Sequence, residues 1–419
     1  MHSLEHAGGS VACGDGILLQ EGSGAFDRAR VERAGRDAIE RWLDSVRPRR
    51  ASLDVGELVV EPSLRYLLDA GGFDRHTFFC GQSGSGKTFA LGTVLEQLLL
   101  RTSVRIVVLD PNSDFVRLTE VRRDVDPDLA ERYRNAVEQL VVRRNVGGGD
   151  RLHVRFTDCD AEEQAAILQL DPIQDREEYG AVVDLLESGL EGSATTTEAL
   201  AKQLRASDTP QLRALGDRLR NLGIHRWKIW STGDQGSVQD LVGSGGPRAL
   251  VVDLGSLDTW GEKAIAAESV LAALWRRRAE REPTLVVIDE AHNVCPREPA
   301  DDVTALATEH AARFAAEGRK FGLYLLVSTQ RPQRVDELVV SQCDNLVLMR
   351  MASASDLAYV ARTLSYAPTP LLERAMSFRL GESLVAGKIS SHPALVRFGP
   401  RIAEEGGSDV ASTWAEEQR

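Results

Sequence analysis

The sequence lacks several features that define other classes of protein. No apolar run in its 419 residues approaches the roughly 18 that a membrane-spanning helix needs, so we expect no membrane segment. The first residues, MHSLEHAGGS, have no basic start before an apolar stretch, which argues against a secretory signal. The five cysteines are odd in number and far apart, which argues against a disulfide framework or a paired-cysteine zinc site. We therefore expect a cytoplasmic protein with reduced thiols.

Lysine is also scarce, and positive charge does not dominate. Six lysines accompany 44 arginines, and the formal net charge is −13. An excess of arginine over lysine is typical of a GC-rich genome and identifies no function. Proteins that wrap nucleic acid usually have a basic surface, because phosphate neutralisation supplies much of their affinity. The acidic total does not exclude DNA binding if the positive charge is gathered in a channel while the outside stays acidic.

Short apolar runs alternate with amphipathic segments over much of the chain. Strands are predicted at 76–80, 104–110, 249–253, 284–289, 322–328, 345–350, 382–386 and 394–398, and helices at 88–100, 262–278 and 302–317. This alternation predicts an α/β fold with a mostly parallel sheet that is covered by helices on both faces.

The remaining segments predict the domain organisation. In chain order we expect a partly disordered N-terminal extension with one helix, a core in two parts separated by a mainly helical insertion, and an acidic tail. Their bounds are 1–54 for the extension, 55–119 and 246–400 for the core, 120–245 for the insertion and 401–419 for the tail. Within the first two segments, a loose leader is predicted at 1–25, a helix at 27–45, a strand at 57–63 and a short helix at 63–72.

A glycine-rich loop carries the strongest functional signal. Residues 81–88 match the pattern G-x-x-x-x-G-K-[ST] between a predicted strand and a predicted helix. Backbone N–H groups of such a loop surround a phosphate at the helix N-terminus. Lys87 would contact the β- and γ-phosphates, and the Thr88 hydroxyl would ligate Mg²⁺. The predicted nucleotide-binding residues are Gly81, Gln82, Ser83, Gly84, Ser85, Gly86, Lys87 and Thr88.

Two adjacent acids follow a later apolar strand. Asp289, at the end of that strand, would hold Mg²⁺, and Glu290 would orient and deprotonate the attacking water. An acid in this position also serves as a helix cap, but the phosphate-binding pattern upstream favours the catalytic interpretation. The neighbouring glutamate is typical of ATP-hydrolysing motors, and the sequence has no Asn-Lys-x-Asp motif for guanine. ATP is therefore the predicted nucleotide.

Polar residues flank the next strand as well. Gln330 follows the strand predicted at 322–328, where its amide would contact the γ-phosphate or the attacking water. Arg319 precedes that strand and is either a surface arginine or a finger that reaches the ATP of a neighbouring subunit. His292 and His225 have no second ligand at a useful spacing, so we expect no metal role for them.

Several segments taken together resemble the HerA–FtsK superfamily, nearest to the HerA-like ATPases. The segments are the glycine-rich loop, VIDEAHN (287–293), GRKFGLYLLVSTQRP (318–332) and SQCDNLVLMRMASASD (341–356). VVLDPNSDF (107–115) resembles the second-strand motif of that family, with Asp110 beside the nucleotide. The resemblance implies a RecA-like P-loop core that uses ATP and Mg²⁺. It also implies a homo-hexameric ring that pumps double-stranded DNA, in some members with a nuclease or defence effector as partner.

The resemblance assigns a role to each matching residue. Lys87 and Thr88 would bind phosphate and Mg²⁺, and Asp289 would also bind Mg²⁺. Glu290 would be the catalytic base and Gln330 the sensor. Arg319 would be the trans-acting finger, with Arg350 and Arg331 as weaker finger candidates. Typical HerA proteins begin with a small β-barrel, whereas the residues before 76 here predict mainly helix rather than a barrel.

Two questions stay open at this point. The candidates for gripping DNA phosphates, which fit a solvated helical surface equally well, are Arg143, Arg144, Arg151, Arg218, Arg220, Arg226 and Lys228. The alternatives to a DNA motor are a regulatory ATPase that gates a partner effector without translocation, and a conjugation- or secretion-type ATPase. The latter normally needs a membrane anchor or a docking partner.

Overall fold

A computed structural model of the chain describes residues 35–47, 51–146, 150–187, 196–231 and 235–407, together with the backbone of three short strands before residue 19. These strands are Ser3–His6 (β1), Gly9–Ala12 (β2) and Ile17–Leu18 (β3). They form an antiparallel sheet of their own in the segment where the sequence predicts a loose leader.

In the described part of the chain, eleven further strands form one mixed sheet. They are Ser52–Leu58 (β4), Glu61–Asp69 (β5), Thr77–Cys80 (β6), Arg105–Asp110 (β7), Leu140–Arg143 (β8), Ala249–Asp253 (β9), Thr284–Ile288 (β10), Leu323–Thr329 (β11), Asn345–Met349 (β12), Glu382–Gly387 (β13) and Ala394–Phe398 (β14). Their order across the sheet is β5-β4-β14-β13-β12-β6-β11-β10-β7-β9-β8. In this order, each strand from β12 across to β8 at the edge pairs in parallel with the next. The four strands on the other side of β12 (β13, β14, β4 and β5) pair antiparallel.

Helices cover both faces of this sheet. They are Arg36–Ser45 (α1), Lys87–Arg101 (α2), Pro127–Ala136 (α3), Ala161–Ile167 (α4), Arg176–Glu187 (α5), Thr197–Arg205 (α6), Pro210–Asn221 (α7), Val238–Leu241 (α8), Trp260–Arg276 (α9), Asp302–Glu317 (α10), Glu337–Ser341 (α11), Ala354–Thr363 (α12) and Thr369–Glu373 (α13). Helices α2 and α3 pack on one face, and α9 and α10 pack on the other. Within the described ranges, no helix is both long and apolar enough to cross a membrane.

Strand β7 shows why the central strands are continuous apolar runs. Ile106 and Val108 pack with the α2 layer, whereas Val107 and Leu109 pack with the α9 and α10 layer. Both faces of each central strand are therefore buried, which is the arrangement that a parallel sheet requires. The predicted α/β fold with a mostly parallel sheet and a RecA-like core is confirmed.

The structure differs from the prediction at the start of the core. The predicted strand at 57–63 spans the turn between β4 and β5, and the predicted helix at 63–72 is wrong. Leu64, Tyr66 and Leu68 are buried at every second position, and β5 pairs antiparallel with β4. A 3-10 turn, Ala70–Asp74, follows the strand.

The N-terminal helix and the insertion also differ in their bounds. The structure has α1 at the end of the predicted helix 27–45, whose first part lies outside the described residues. The stretch 120–245 contains α3 to α8 and also β8, which pairs in parallel with β9. The main sheet therefore continues into the stretch that was predicted as an insertion.

The predicted tail begins inside the packed structure. The guanidinium of Arg401 is buried and pairs with buried Glu96 on α2. The N–H groups of Ile402 and Ala403 donate to the same carboxylate, at 2.7 and 3.0 Å. Residues 401–403 thus belong to the core, and the predicted tail after 407 lies outside the described residues.

Candidate functional site

The glycine-rich loop joins β6 to α2 at the carboxyl edge of the sheet. Gly84 and Gly86 have φ angles of 70° and 88°, in the left-handed region that glycine adopts without strain. A Cβ atom at Gly81 would lie 2.7 Å from the Cβ of Met349, so a side chain does not fit there. Gly86 is the N-cap of α2. The loop therefore leads into a helix N-terminus whose first N–H groups are available to an anion.

The strand register brings the other candidates to the same edge. Cys80, the last residue of β6, is paired with Thr329, the last residue of β11. Ile288, the last residue of β10, is paired with Val327 of β11. The glycine-rich loop, the two adjacent acids and Gln330 directly follow these strand ends, so they emerge side by side.

Lys87 lies at the centre of this group and is 5% exposed. Its Nζ donates to Asp289 Oδ1 at 2.7 Å and to Ser328 Oγ at 2.8 Å, and it lies 3.2 Å from Glu290 Oε1. Burial lowers the pKa of Lys87, but the two carboxylates raise it more, so the net pKa lies above the ordinary value. The lysine is therefore charged and shared between both acids.

Glu290 has an unusual backbone and well-defined side-chain contacts. Its φ of 42° and ψ of 50° place a non-glycine residue in the left-handed region, at a cost of roughly 1–3 kcal/mol. Gln330 Nε2 donates to Glu290 Oε1 at 2.7 Å. His292 Nδ1 lies 3.3 Å from Glu290 Oε2 and 3.1 Å from Thr329 Oγ1. His292, for which the sequence predicts no role, thus contacts the candidate base.

Asp110, the last residue of β7, and Asp114 in the turn after it have different surroundings. Asp110 is buried, and its carboxylate accepts the N–H groups of Asn112, Asp114 and Phe115, so it holds the turn after the strand. Asp114 Oδ2 instead lies 3.4 Å from the hydroxyl of Thr88. Sequence reasoning selected Asp110 and missed Asp114. The signal available was the second acid of the quoted DPNSDF segment.

The site carries more negative than positive charge. Burial, opposed by backbone hydrogen bonds, raises the pKa of Asp110 to about 7. Burial and then the charge of Asp289 raise the pKa of Asp114 to about 6. In the described structure, the buried Oδ2 of Asp289 has no hydrogen-bond partner. Carboxylate and hydroxyl oxygens are the ligands that Mg²⁺ prefers, so Thr88 and the acids fit this cation.

The three candidate arginine fingers lie in different places. Arg319 precedes β11, at the amino edge of the sheet, and pairs with Asp344 at 3.0 Å. Arg350 follows β12 and donates to the carbonyl of Gly84 at 2.9 Å, so it contacts the loop of its own chain. Arg331 is exposed, directly after Gln330.

Most of the candidate DNA-gripping residues in the insertion form ion pairs. The pairs are Arg143–Asp150, Arg144–Asp253, Arg218–Asp175 and Lys228–Asp258. Arg151, Arg220 and Arg226 are exposed. His225 lies 3.2 Å from the carbonyl of Leu219. The insertion therefore presents fewer unneutralised cations than its composition indicates.

The chain is similar to a defined family over half of its length. A family model described as the central domain of helicase HerA matches residues 53–270. The DNA double-strand break repair helicase HerA of Pyrococcus furiosus is 22% identical over 408 residues, which cover 82% of this chain and 69% of that protein. HerA of Sulfurisphaera tokodaii is 32% identical over 182 residues, which cover 42% of this chain and 36% of that protein. The matched region thus spans only about a third of the latter relative.

Two solved structures show the same fold. VirB4 of Thermoanaerobacter pseudethanolicus has a TM-score of 0.57 and 14% identity, covering 84% of this chain and 97% of that one. The bacterial conjugative coupling protein TrwBdeltaN70 has a TM-score of 0.58 and 15% identity, covering 91% and 96%. At these identities the likeness concerns the fold alone.

Proposed function

The chain belongs to the family of the HerA helicase central domain, and from this membership we propose that it is an ATP-hydrolysing ring motor that translocates or remodels double-stranded DNA. The supporting observation is the contact between Lys87, the two adjacent acids and Gln330 at one edge of the sheet. Its relatives are named DNA double-strand break repair helicases, which supports DNA as the substrate. The cysteines of the described residues are free thiols, which supports a cytoplasmic location.

The residues at this edge divide the chemistry of hydrolysis between them. ATP would place its phosphates in the loop 81–88, where Lys87 exchanges its carboxylate partners for phosphate oxygens. Glu290, released from the lysine, would accept the proton of the attacking water. Gln330 holds one oxygen of Glu290 and would thereby set the direction of that proton transfer.

A divalent cation fits the remaining oxygens of the site. Thr88 and Asp289 would hold Mg²⁺, with Asp114 close enough to Thr88 to contribute. When bound, the cation would neutralise negative charge on the phosphate oxygens. Asp110 would contribute indirectly, because its carboxylate accepts the N–H of Asp114 and so holds the turn that carries Asp114.

Arg319 would act on the nucleotide of a neighbouring subunit. It lies at the opposite end of β11 from Gln330, and the seven residues of that strand span about 20 Å. The guanidinium is therefore too far from the phosphate-binding loop of its own chain. A homo-hexameric ring, in which each subunit faces the next, would place it at a neighbouring site.

A regulatory ATPase is the second candidate function. The ion pairs of Arg143, Arg144, Arg218 and Lys228 favour it, because these cations are already neutralised by acids of the chain. In this alternative, ATP-dependent assembly would gate a nuclease or another effector protein without translocation along DNA.

ATP turnover with and without duplex DNA tests the proposal. We expect duplex DNA to raise the rate several-fold and Lys87→Ala to abolish turnover under both conditions. Turnover that no length of duplex stimulates would contradict the DNA motor and support the regulatory alternative. No turnover at all by the parent, in the presence of Mg²⁺, would contradict both.

A further inference from the structure

A cleft lies beside the site, on the face of the sheet covered by α9 and α10. Its volume is about 510 Å³. Its walls include Trp260, Lys263, His292, Asn293, Arg297 and Arg334, and we call it the Trp260 cleft. Residues 81–88, all of them described, do not line it, so it is separate from the phosphate-binding loop.

Segments that follow four neighbouring parallel strands line the Trp260 cleft. Pro111 follows β7, Leu254 follows β9, His292 follows β10 and Arg334 follows β11. The segments after β10 and β11 are also the ones that carry Glu290 and Gln330. A ligand in the cleft would therefore touch chain that is continuous with both candidate catalytic groups.

The Trp260 cleft combines an aromatic surface with charged side chains, of which the cations outnumber the acids. Trp260 is 69% exposed at the first position of α9, and Lys263 Nζ lies 5.3 Å from its ring centroid. Arg297 and Arg334 add two guanidinium groups, the first of them 3.6 Å from Glu337. Two acids, Glu298 and Asp301, also line the cleft, and Asp301 accepts the N–H of Thr304 at the start of α10. Aromatic rings beside cations are the combination that contacts the bases and phosphates of nucleic-acid strands.

His292 connects the cleft to the candidate base. It lines the cleft, and its Nδ1 lies 3.3 Å from Glu290 Oε2. It also belongs to the 3-10 turn Ala291–Asn293, which begins directly after the left-handed backbone of Glu290. Because the turn and the base share one short stretch of chain, a shift of the turn changes the position of the Glu290 carboxylate.

We propose that the Trp260 cleft binds the backbone of a DNA strand and that this contact reaches Glu290 through His292, coupling DNA to hydrolysis. The inference rests on the proposed function, since it places the DNA contact of that motor. Phosphodiester backbone is common to duplex and single-stranded DNA, so both are used as probes.

The test compares Trp260→Ala and Lys263→Ala with the parent, each as the full chain. Lys202→Ala, which removes an exposed lysine on α6, is the matched control. DNA affinity is measured by fluorescence anisotropy with a labelled duplex and a labelled single strand of equal length, and ATP turnover is measured with and without each.

We expect Trp260→Ala to weaken binding of the single strand, whose bases are free to stack on the ring, by about 5-fold or more. Lys263→Ala should reduce the slope of log affinity against log salt concentration by about one. Both variants should keep the turnover that the parent shows without DNA and should need correspondingly more DNA for stimulation. Lys202→Ala should match the parent.

The outcomes separate this inference from the proposed function. If DNA stimulates the parent and both cleft variants bind DNA as the parent does, the cleft assignment is overturned and the DNA motor stands. Loss of stimulation with unchanged DNA affinity also overturns it. If the parent binds neither probe, the DNA motor fails as well. Weakened binding of either the duplex or the single strand supports the cleft and identifies the strand form.

Discussion

The side-chain amide of Gln330 donates a 2.7 Å hydrogen bond to Oε1 of Glu290, which lies 40 positions earlier in the chain. The two side chains follow adjacent parallel strands, β11 and β10, so the sheet itself sets their separation. Lys87 Nζ lies 3.2 Å from the same carboxylate oxygen. In the proposed mechanism, phosphate would engage the lysine, and the amide of Gln330 would remain to orient Glu290.

The first prediction concerns this hydrogen bond. Gln330→Ala should lower kcat for ATP by roughly 10- to 100-fold, because the Glu290 carboxylate loses its fixed direction. Nucleotide affinity should change by less than about 2-fold, since Lys87 and the loop are intact. Gln342→Ala, at an exposed position, is the control. A variant with parental kcat would show that Gln330 does not position the base.

Asp114 provides the second prediction. Asp114→Asn removes one charge near Thr88 and keeps an oxygen in place, so the nucleotide complex should bind Mn²⁺ several-fold less tightly. Electron paramagnetic resonance of Mn²⁺ with a non-hydrolysable ATP analogue measures this directly. The control is Asp128→Asn, an exposed acid in the first turn of α3. Equal Mn²⁺ affinity in the parent and Asp114→Asn would remove Asp114 from the cation site.

The third prediction tests whether Arg319 acts in trans. Arg319→Ala and Glu290→Gln should each abolish turnover alone. Mixed rings of the two variants should recover part of it, because some sites then combine an intact base with an intact arginine from the neighbour. Activity of mixtures is measured over a range of ratios. Mixtures that never exceed the sum of the separate variants would place the arginine in the same subunit as the base, or outside the reaction.

The fourth prediction concerns stability in acid. His76 is buried before β6, and its Nδ1 accepts the N–H of Leu325 at 3.0 Å. Burial, and then the charge of Arg319, lowers its pKa from 6.5 to about 4. An unfolded histidine takes up a proton near pH 6.5, whereas His76 in the folded protein stays neutral until about pH 4. The free energy of unfolding therefore has its full value above pH 6.5 and decreases as the pH falls toward 4. The loss amounts to about 3 kcal/mol.

Urea unfolding at a series of pH values measures this effect. His76→Asn keeps an acceptor for Leu325 but does not titrate in this range. The free energy of unfolding of the parent should therefore fall by about 3 kcal/mol more than that of the variant between pH 6.5 and 4. Parallel curves would mean that His76 is not held neutral in the folded protein.

The parallel core could be predicted because its signals are local. The strand predicted at 284–289 is β10, Thr284–Ile288, and the helix predicted at 302–317 has those bounds. Each is a contiguous run whose periodicity depends only on burial by the layers around it. The loop 81–88 was likewise identified from one contiguous pattern, since strand, glycines and helix follow each other directly.

The errors occur where distant partners decide the structure. Leu64, Tyr66 and Leu68 alternate as a strand, but adjacent Leu67 and Leu68 also fit a helix, and only pairing with β4 decides between them. The ion pair of Glu96 with Arg401 joins positions 305 apart and draws the predicted tail into the core.

Asp114 was not identified from the sequence for a related reason, while the role of Asp110 stays a prediction. Asp110 and Asp114 are equally polar in sequence: the first ends the buried strand β7, and the second lies four positions later. Three backbone N–H groups engage Asp110, whereas Asp114 is left facing Thr88. Backbone hydrogen bonds within a turn are set by its conformation, which a residue pattern does not reveal.

Glu290 as the base of ATP hydrolysis is the claim on which the motor depends. ATP turnover and ATP binding by Glu290→Gln test it most directly, since the substitution keeps the size of the side chain and one acceptor oxygen but removes its basicity. We expect ATP affinity within about 2-fold of the parent and turnover lower by roughly 100-fold or more. Turnover equal to that of the parent would contradict it.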